Sequence, residues 1–405
     1  MSPAQDLFVF PALRSPFVKM DREHGSLDAL GLSVPVVQQS VVGGRGPGPD
    51  ASGSVDLFVW GAVIPTLALS NWGREVWLDA GLDPHVASVT LIQQCGTSLA
   101  AATHAAGQIL AGSTHLALCG GVDSMSSAQI GLSRELSRVI RRTSSAKGFG
   151  AMLRQLRKAR TRDLRLAIPA VKERTTGKSM GQHAEISAGR WGIDREAQDR
   201  LAARSHANAV RAQADGFFRQ LLVHPGTYRA DSDGLPRSDS TAEKLARLKP
   251  AFDRESGTLT AGNSSALTDG AAAVWVADGE GAKRLPDRLP RVRLVDWEQA
   301  AVDIEVEGLL MAPALAIPRL LARNGLAYSD VNVWEIHEAF AAQVLSTIAA
   351  LEDEIWLRER AGVEGDFGQF PRDRVNPNGG SVALGHPFAA TGARILSQAA
   401  VELAE

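Results

Sequence analysis

Residues 86–121 read VASVTLIQQCGTSLAAATHAAGQILAGSTHLALCGG. Val86 to Ile92 is a short apolar, β-branched run, which predicts a buried strand. Cys95 follows at once. A small-residue stretch from Ser98 to Ala111 then reads as a helix, and His115 to Cys119 reads as a second strand closed by Gly120-Gly121. Strand, helix and strand in such close succession form the unit of an α/β protein. Working outward, Asp6 to Phe10 (DLFVF) and Val55 to Val59 (VDLFV) predict further strands. So do Gly270 to Ala277 (GAAAVWVA), Arg291 to Val295, and Val331 to Ile336 (VNVWEI). From about Asp123 to Lys249 the rhythm stops. That stretch is polar and rich in arginine, and it reads as an inserted, mainly helical subdomain.

The second half repeats the first in outline. Ser381 to Leu384 runs into Gly385-His386-Pro387 and then a helix to about Leu403, as the Cys95 segment runs into its own helix. By that analogy one more strand should follow, past Glu405. The second half is therefore expected to be one strand short, with the apolar helix face Ile395 to Leu403 uncovered.

With 405 residues the chain is long enough for two or three domains and a large core. Its 43 Lys+Arg balance 45 Asp+Glu, which argues against a nucleic-acid partner. No run is apolar enough to span a bilayer, and the N-terminus lacks the pattern of a signal peptide. Two cysteines, Cys95 and Cys119, exclude a disulfide framework and a Cys-rich zinc site, so a cytoplasmic setting is expected.

Three constellations can carry chemistry. Cys95, in Gln93-Gln94-Cys95-Gly96-Thr97-Ser98, lies at a helix start, where free N–H groups and the helix dipole favour a thiolate; a small buried core cysteine is the plain alternative. His337, in Trp334-Glu335-Ile336-His337-Glu338-Ala339-Phe340, ends a strand and opens a helix at the sheet edge where α/β proteins build sites. A capping or surface histidine is the alternative there. No zinc-protease pattern is present, because Ala341 stands four places after His337. His386 lies among the glycines and prolines of Asn376-Pro377-Asn378-Gly379-Gly380-Ser381 and Gly385-His386-Pro387, where a structural turn is the alternative. The turn Gly120 to Ser126 says little alone, and Gly44-Arg45-Gly46-Pro47-Gly48 reads as a flexible turn. One nucleophile candidate and two histidines at strand–helix junctions fit a base-activated thiolate that transfers acyl groups.

Together these motifs resemble the thiolase family over nearly the whole chain. Gln93 to Leu99 looks like its nucleophile segment. Gly120 to Ser126 is similar to its Gly-Gly-x-Glu-Ser-Met-Ser turn, with Asp123 in place of Glu. Ser179 to Glu185 and Thr260 to Ser265 with Asp269-Gly270-Ala271 resemble substrate-side motifs. Asn378 to Pro387 with Ala390 to Arg394 looks like the catalytic histidine segment. His337-Glu-Ala-Phe, where many thiolases carry Asn-Glu-Ala-Phe, resembles the β-subunit of trifunctional complexes, the 3-ketoacyl-CoA thiolases of fatty-acid oxidation.

The resemblance implies a duplicated αβαβα layered fold. Residues 1–122 with 252–285 would form the N-terminal half, 123–251 a helical loop domain over the CoA, and 286–405 the C-terminal half. Cys95 would be acylated, His386 would take its proton, and His337 would hold the thioester oxygen. Met180, Ser265 and Phe340 would line the pantetheine path. Acyl-CoA and CoA are then substrates, with no separate cofactor and no metal, and a homodimer or tetramer is expected. The family's second cysteine, in a Cys-x-Gly-Gly-Gly segment, has no counterpart. Cys119 lies on a first-half strand and is no substitute. The expected activity is thiolysis of a 3-ketoacyl-CoA or the reverse condensation. For this chain alone the expectation is cysteine acylation without a full cycle, together with poor stability. The competing readings are a catalytically incomplete acyl-CoA-binding subunit and, more distantly, a ketoacyl synthase.

From Arg134 to Lys178 the sequence carries 14 Lys/Arg and 3 Asp/Glu. Phe149, Met152, Leu153 and Leu156 recur at helical spacing beside Arg154, Arg157 and Lys158. A solvated helical face, neutralisation of the CoA phosphates, or docking on an anionic membrane or a fatty-acid-oxidation α-subunit are the readings open for this segment.

Overall fold

The computed structural model describes residues 6–48, 54–67, 69–158, 160, 166–167 and 172–404. The first half runs β1 (Leu7–Arg14), β2 (Val18–Lys19), α1 (Ala29–Val42), β3 (Leu57–Gly61), α2 (Trp72–Asp79), β4 (Ala87–Thr90), α3 (Thr97–Leu110) and β5 (Leu116–Asp123). Then come β6 (Gly131–Leu132), α4 (Arg134–Ser144), α5 (Phe149–Leu156), β7 (Leu166–Ala167), α6 (Met180–Arg190), α7 (Arg195–Ala214) and α8 (Ala242–Leu245). The chain continues with β8 (Thr268–Ala277), α9 (Gly279–Ala282), β9 (Val292–Leu294), α10 (Pro313–Asn324), α11 (Ala341–Leu351), α12 (Glu354–Trp356), α13 (Ser381–Leu384) and α14 (Thr391–Glu402).

The main sheet has the order β4-β3-β5-β8-β1-β9, with β2 added on β8. β3 is parallel to β4 and β5, whereas β8 runs antiparallel to both β5 and β1. Every residue of β5 and β8 is buried, as continuous small and apolar strands are when both sheet faces are covered. Side chains alternate between the faces. Phe58, Trp60 and Trp275 pack with Val36 and Val37 of α1 and Trp77 of α2. Val59, Cys119 and Val274 pack on the other side with Ala101, Ala105 and Ile109 of α3 and Ala393 of α14.

α3 and α14, from opposite halves of the chain, thus share one face of one sheet. Gly392 permits their contact: a Cβ there would fall 2.7 Å from the backbone nitrogen of Leu99. Ala393 N–H donates to Ser98 Oγ at 2.8 Å, and Ser397 Oγ donates to Ala273 O at 3.0 Å, docking α14 on α3 and β8.

The second half departs from its expected strands. Val292–Leu294 adds to the first sheet beside β1. Residues 331–336 form no strand and make a single parallel bridge, Trp334 to Val375. Ser381–Leu384 is one helical turn, bounded by extended Gly380 and by Gly385 at φ 90°. A separate core of Met311, Leu315, Tyr328, Trp334, Ile348, Trp356 and Phe370 holds this half together. The uncovered face expected at Ile395 to Leu403 is absent. α14 is buried nearly all round, with Val401 against Ala209, Phe217, Phe218 and Leu221, and Leu403 alone in that stretch is exposed. Among the described residues no helix is long and apolar enough to cross a membrane.

Candidate active site

Cys95 sits in the turn between β4 and α3, with Gly96 as the helix N-cap. The preceding residue, Gln94, has φ 47°, a left-handed backbone that is strained without a glycine. Buried Thr97 holds the turn: its Oγ1 donates to Gln94 O at 2.7 Å and accepts Gln93 N–H at 2.8 Å. The sulfur is thereby lifted to the start of α3.

His386 arrives beside it from the start of the α14 segment. Gly385 precedes it at φ 90°, and a Cβ at that position would lie 2.5 Å from Thr268 Oγ1. His386 N–H donates to the same Thr268 hydroxyl at 3.0 Å. Its Nδ1 is 2.6 Å from Thr391 Oγ1, and that hydroxyl is 3.4 Å from Pro387 O. Thr391 can therefore accept from Nδ1–H and donate onward. Nε2 is left bare, 3.0 Å from Cys95 Sγ.

His337 completes the group. Its ring centroid is 4.1 Å from that of His386, and Cys95, His337 and His386 each place one ligand atom within 4.8 Å of the others. It does not open a helix, as its sequence position predicts, because α11 begins only at Ala341 with Phe340 as N-cap. An extended turn carries it instead. The Asn376 side chain accepts Ile336 N–H at 2.8 Å and donates to Ile336 O at 2.9 Å, and Nδ2 also reaches Glu338 Oε1 at 2.6 Å. Nδ1 of His337 pairs with Ser381 Oγ at 2.8 Å. Its Nε2 is buried with no partner among the described residues.

Burial dominates the electrostatics. It pushes the Cys95 thiol up to about 11, with the Asp123 charge adding to the rise. It holds His337 down to about 3, with Arg394 contributing, and drives His386 well below its usual range, with His337 and Arg394 contributing. This desolvation opposes the thiolate that the helix start favours. The resting pair is thiol and neutral imidazole. Asp123 is fully buried. It accepts Val63 and Ile64 N–H on Oδ1 at 2.9 and 2.7 Å and Ala389 N–H on Oδ2 at 2.7 Å, yet burial still raises it to about 7.

The three residues expected along the pantetheine path lie together. Met180 opens α6 behind a Ser179–Gln182 capping box and packs with Leu259 and Phe340. Phe252 meets Phe340 edge-on at 5.6 Å. Ser265 N–H donates to Ala339 O at 2.9 Å, while its neighbour Ser264 bridges Phe340 and Leu267 bridges His386. One segment, residues 264–268, therefore runs from the Phe340 cluster to the base. Cys119 is wholly buried in β5.

Residues 7–280 match the family model described as "Thiolase, N-terminal domain", and residues 289–405 match "Thiolase, C-terminal domain". The chain belongs to the thiolase family. The 3-ketoacyl-CoA thiolase of Pectobacterium atrosepticum is 37% identical over 395 residues, covering 96% of this chain and 89% of that one. The protein of the same name from Yersinia enterocolitica is 36% identical over 399 residues, covering 98% and 90%. The crystal structure of the Bacillus anthracis acetyl-CoA acetyltransferase superposes with a TM-score of 0.79 at 31% identity, covering 99% of this chain and 93% of the other.

Sequence reasoning on this thiolase missed the residues that aim its histidines. Thr268, Ser381, Thr391, Arg394 and Asn376 all stand inside or beside quoted motifs, and spacing gives no sign of what they hold. Arg394, 1% exposed, donates to Ser381 Oγ at 3.1 Å and to Glu335 Oε2 and Gln398 Oε1 at 3.3 Å. A polar run around a histidine was the available signal, and the partners become visible only in three dimensions.

Proposed function

We propose that this thiolase cleaves 3-ketoacyl-CoA, or runs the reverse condensation, through an acyl group carried on Cys95. The observation that carries the reading is the 3.0 Å contact between Cys95 Sγ and the bare Nε2 of His386. As the sulfur attacks the keto carbon, its proton passes to His386. The oxygen that gains charge takes a hydrogen bond from His337. Collapse breaks the bond between C2 and C3, leaves the shortened acyl group on Cys95, and releases an acetyl-CoA enolate. That enolate takes a proton at C2; the sequence holds no counterpart of the family's second cysteine, so this reading gives the step to protonated His386 and departs from the expectation of acylation without a full cycle. CoA then gives its thiol proton to His386 and attacks the acyl-cysteine, which regenerates the thiol. No electron is exchanged, so the cycle calls for CoA thioesters as substrates and for no redox group.

In this reading residues 123–251 cover the CoA between the two halves, and Met180, Ser265 and Phe340 line the pantetheine path. A non-catalytic acyl-CoA-binding subunit is not favoured, because nucleophile, base and an unpaired histidine nitrogen converge. The name of the relatives, 3-ketoacyl-CoA thiolase, supports a 3-ketoacyl-CoA substrate, and we place the enzyme in the cytoplasm as a homo-oligomer. Incubation with acetoacetyl-CoA followed by peptide mass spectrometry tests the assignment. An acyl group on the Cys95 peptide that disappears in His386→Ala is expected. Equal labelling of Cys119, or labelling indifferent to His386→Ala, overturns it.

The basic segment adds a second element. No residue of α5 is buried, and Phe149 is 79% exposed beside the arginines of α4 and α5. Residues 159, 161–165 and 168–171 of this segment lie outside the described residues. We read the hairpin as docking on an anionic surface, either peripheral lipid or an acidic partner subunit. Vesicle sedimentation at low and high salt separates the two: no binding to anionic vesicles at low salt removes lipid.

A further inference from the structure

The unpaired Nε2 of His337 raises a question of tautomer that the residues behind it answer. A neutral imidazole carries its proton on one nitrogen only, and that choice decides whether Nε2 offers a donor or a lone pair. Arg394 has donors and no acceptor. At Ser381 its Nη2 must therefore donate, with Oγ accepting at 3.1 Å. The Ser381 hydroxyl has one proton of its own, and among the described residues the acceptor within its reach is Nδ1 of His337 at 2.8 Å. The opposite arrangement, with the ring proton on Nδ1, would send two donors to Ser381 Oγ and strand the hydroxyl proton. Ser381 is 0% exposed, so bulk solvent does not reach that proton. Each tautomer leaves one donor without a partner among the described residues; the relay leaves it on Nε2, on the Cys95 side, whereas the alternative leaves it on the enclosed Ser381 hydroxyl and converges two donors on one oxygen, forfeiting the mutual strengthening of a chain of hydrogen bonds.

We propose that Arg394 and Ser381 form a one-way hydrogen-bond relay that fixes the proton of His337 on Nε2 and so presents an N–H donor to the substrate carbonyl oxygen. Both are positioning residues. The relay is short and closed: Arg394 is anchored at Glu335, two places before His337 in the chain, and Ser381 lies on α13, directly before the Gly385-His386 turn. Movement of either end is therefore felt at both histidines. The inference rests on the acyl-transfer reading for its purpose, but not for its geometry. An Nε2–H donor on the Cys95 side is placed to meet the oxygen of an entering thioester.

The test uses the intact chain with ¹⁵N-labelled histidine. Nine imidazoles give resolved spectra, and His337 is assigned by its loss in His337→Gln. The Nε2–H tautomer is expected for His337 in the ligand-free protein. In Ser381→Ala the resonance should shift toward the Nδ1–H form or a mixture. kcat should then fall on the order of 10- to 100-fold, with KM changing less than about twofold. Ser381→Thr, which keeps the hydroxyl, should restore tautomer and rate together. An Nδ1–H tautomer in the unaltered protein, or an unchanged tautomer in Ser381→Ala, overturns the relay. If Ser381→Ala does not fold, the tautomer of the unaltered protein still decides. A protein that shows the Nε2–H tautomer but no acyl transfer would keep the relay and defeat the proposed function, so the two failures are told apart.

Discussion

The junction of α3 with α14 and the hairpin of α4 with α5 treat unpaired groups in opposite ways. At the junction, small residues let two helices close to backbone contact, and most polar groups beside them are paired, with His337 Nε2 among the few buried atoms that have no partner among the described residues. On the hairpin the helices keep their charges in water and leave a row of apolar side chains outward, Ile140, Phe149, Met152, Leu153 and Leu156. The first region holds a polar atom with little exposure to solvent, and the second holds apolar surface in contact with it. Both conditions are unfavourable in isolation. In the function proposed above, the contrast places chemistry where desolvation strengthens a few polar contacts, and docking where desolvation has yet to happen.

The largest blow to the comparison should come from the junction. Cys95→Ser and His386→Ala should each lower kcat/KM for thiolysis by about 10²–10⁴-fold with little change in melting temperature. A steady-state assay with acetoacetyl-CoA and CoA reads this, and near-normal turnover in either variant would remove the site from the junction. Next comes pH. Because the Cys95 pKa is raised to about 11, the thiol is protonated throughout the neutral range. Its iodoacetamide reactivity should climb about tenfold per pH unit between about pH 6 and 9 without a plateau. A plateau beginning near neutrality would mean a preformed ion pair with His386.

A smaller, structural effect is expected at the close approach. Gly392→Ala sets a methyl 2.7 Å from the Leu99 backbone. It should cost about 1–3 kcal/mol in urea unfolding and slow acylation by parting Cys95 from His386. The smallest effect belongs to the hairpin. Phe149→Ser with Leu153→Ser should change stability by less than about 0.5 kcal/mol and leave kcat alone, since neither side chain packs in a core. A marked loss of stability would show that the two regions are not separate.

The strands of the first half were legible because their pattern is local. DLFVF, VDLFV and GAAAVWVA are short apolar runs that need covering on both faces, and the sheet covers them. Val331 to Ile336 has the same look yet makes one bridge, because a ladder needs a neighbour and the sequence of a strand does not name one. Cys95 and His386 could be picked out as candidates from the glycines around them, although a helical turn and not a strand precedes His386. Their protonation could not. The dipole at the start of α3 is visible in sequence, whereas the burial that opposes it is a property of the packed whole. Ser381 and Arg394 were hidden for the same reason: a hydroxyl and a guanidinium inside a motif have no direction until the backbone gives them one.

Asp123 joins the first half to the second across 266 positions by accepting Ala389 N–H, three residues beyond His386. Its carboxyl ionises near the usual value of 3.8 when unfolded and near 7 when folded. The sign is that of a raised acid: the protonated form favours the fold, fully below about 4 and progressively less as pH climbs to about 7. Folding is thus a proton-uptake reaction at this side chain, drawing about one proton from solvent in the middle of that window. Buried His337 and His386 act in the opposite sense, shedding protons as the chain folds in mild acid. The assembly of this site is written into the buffer, and calorimetric unfolding near pH 5.5 in buffers of different ionisation heat should reveal it as a difference between the native chain and Asp123→Asn.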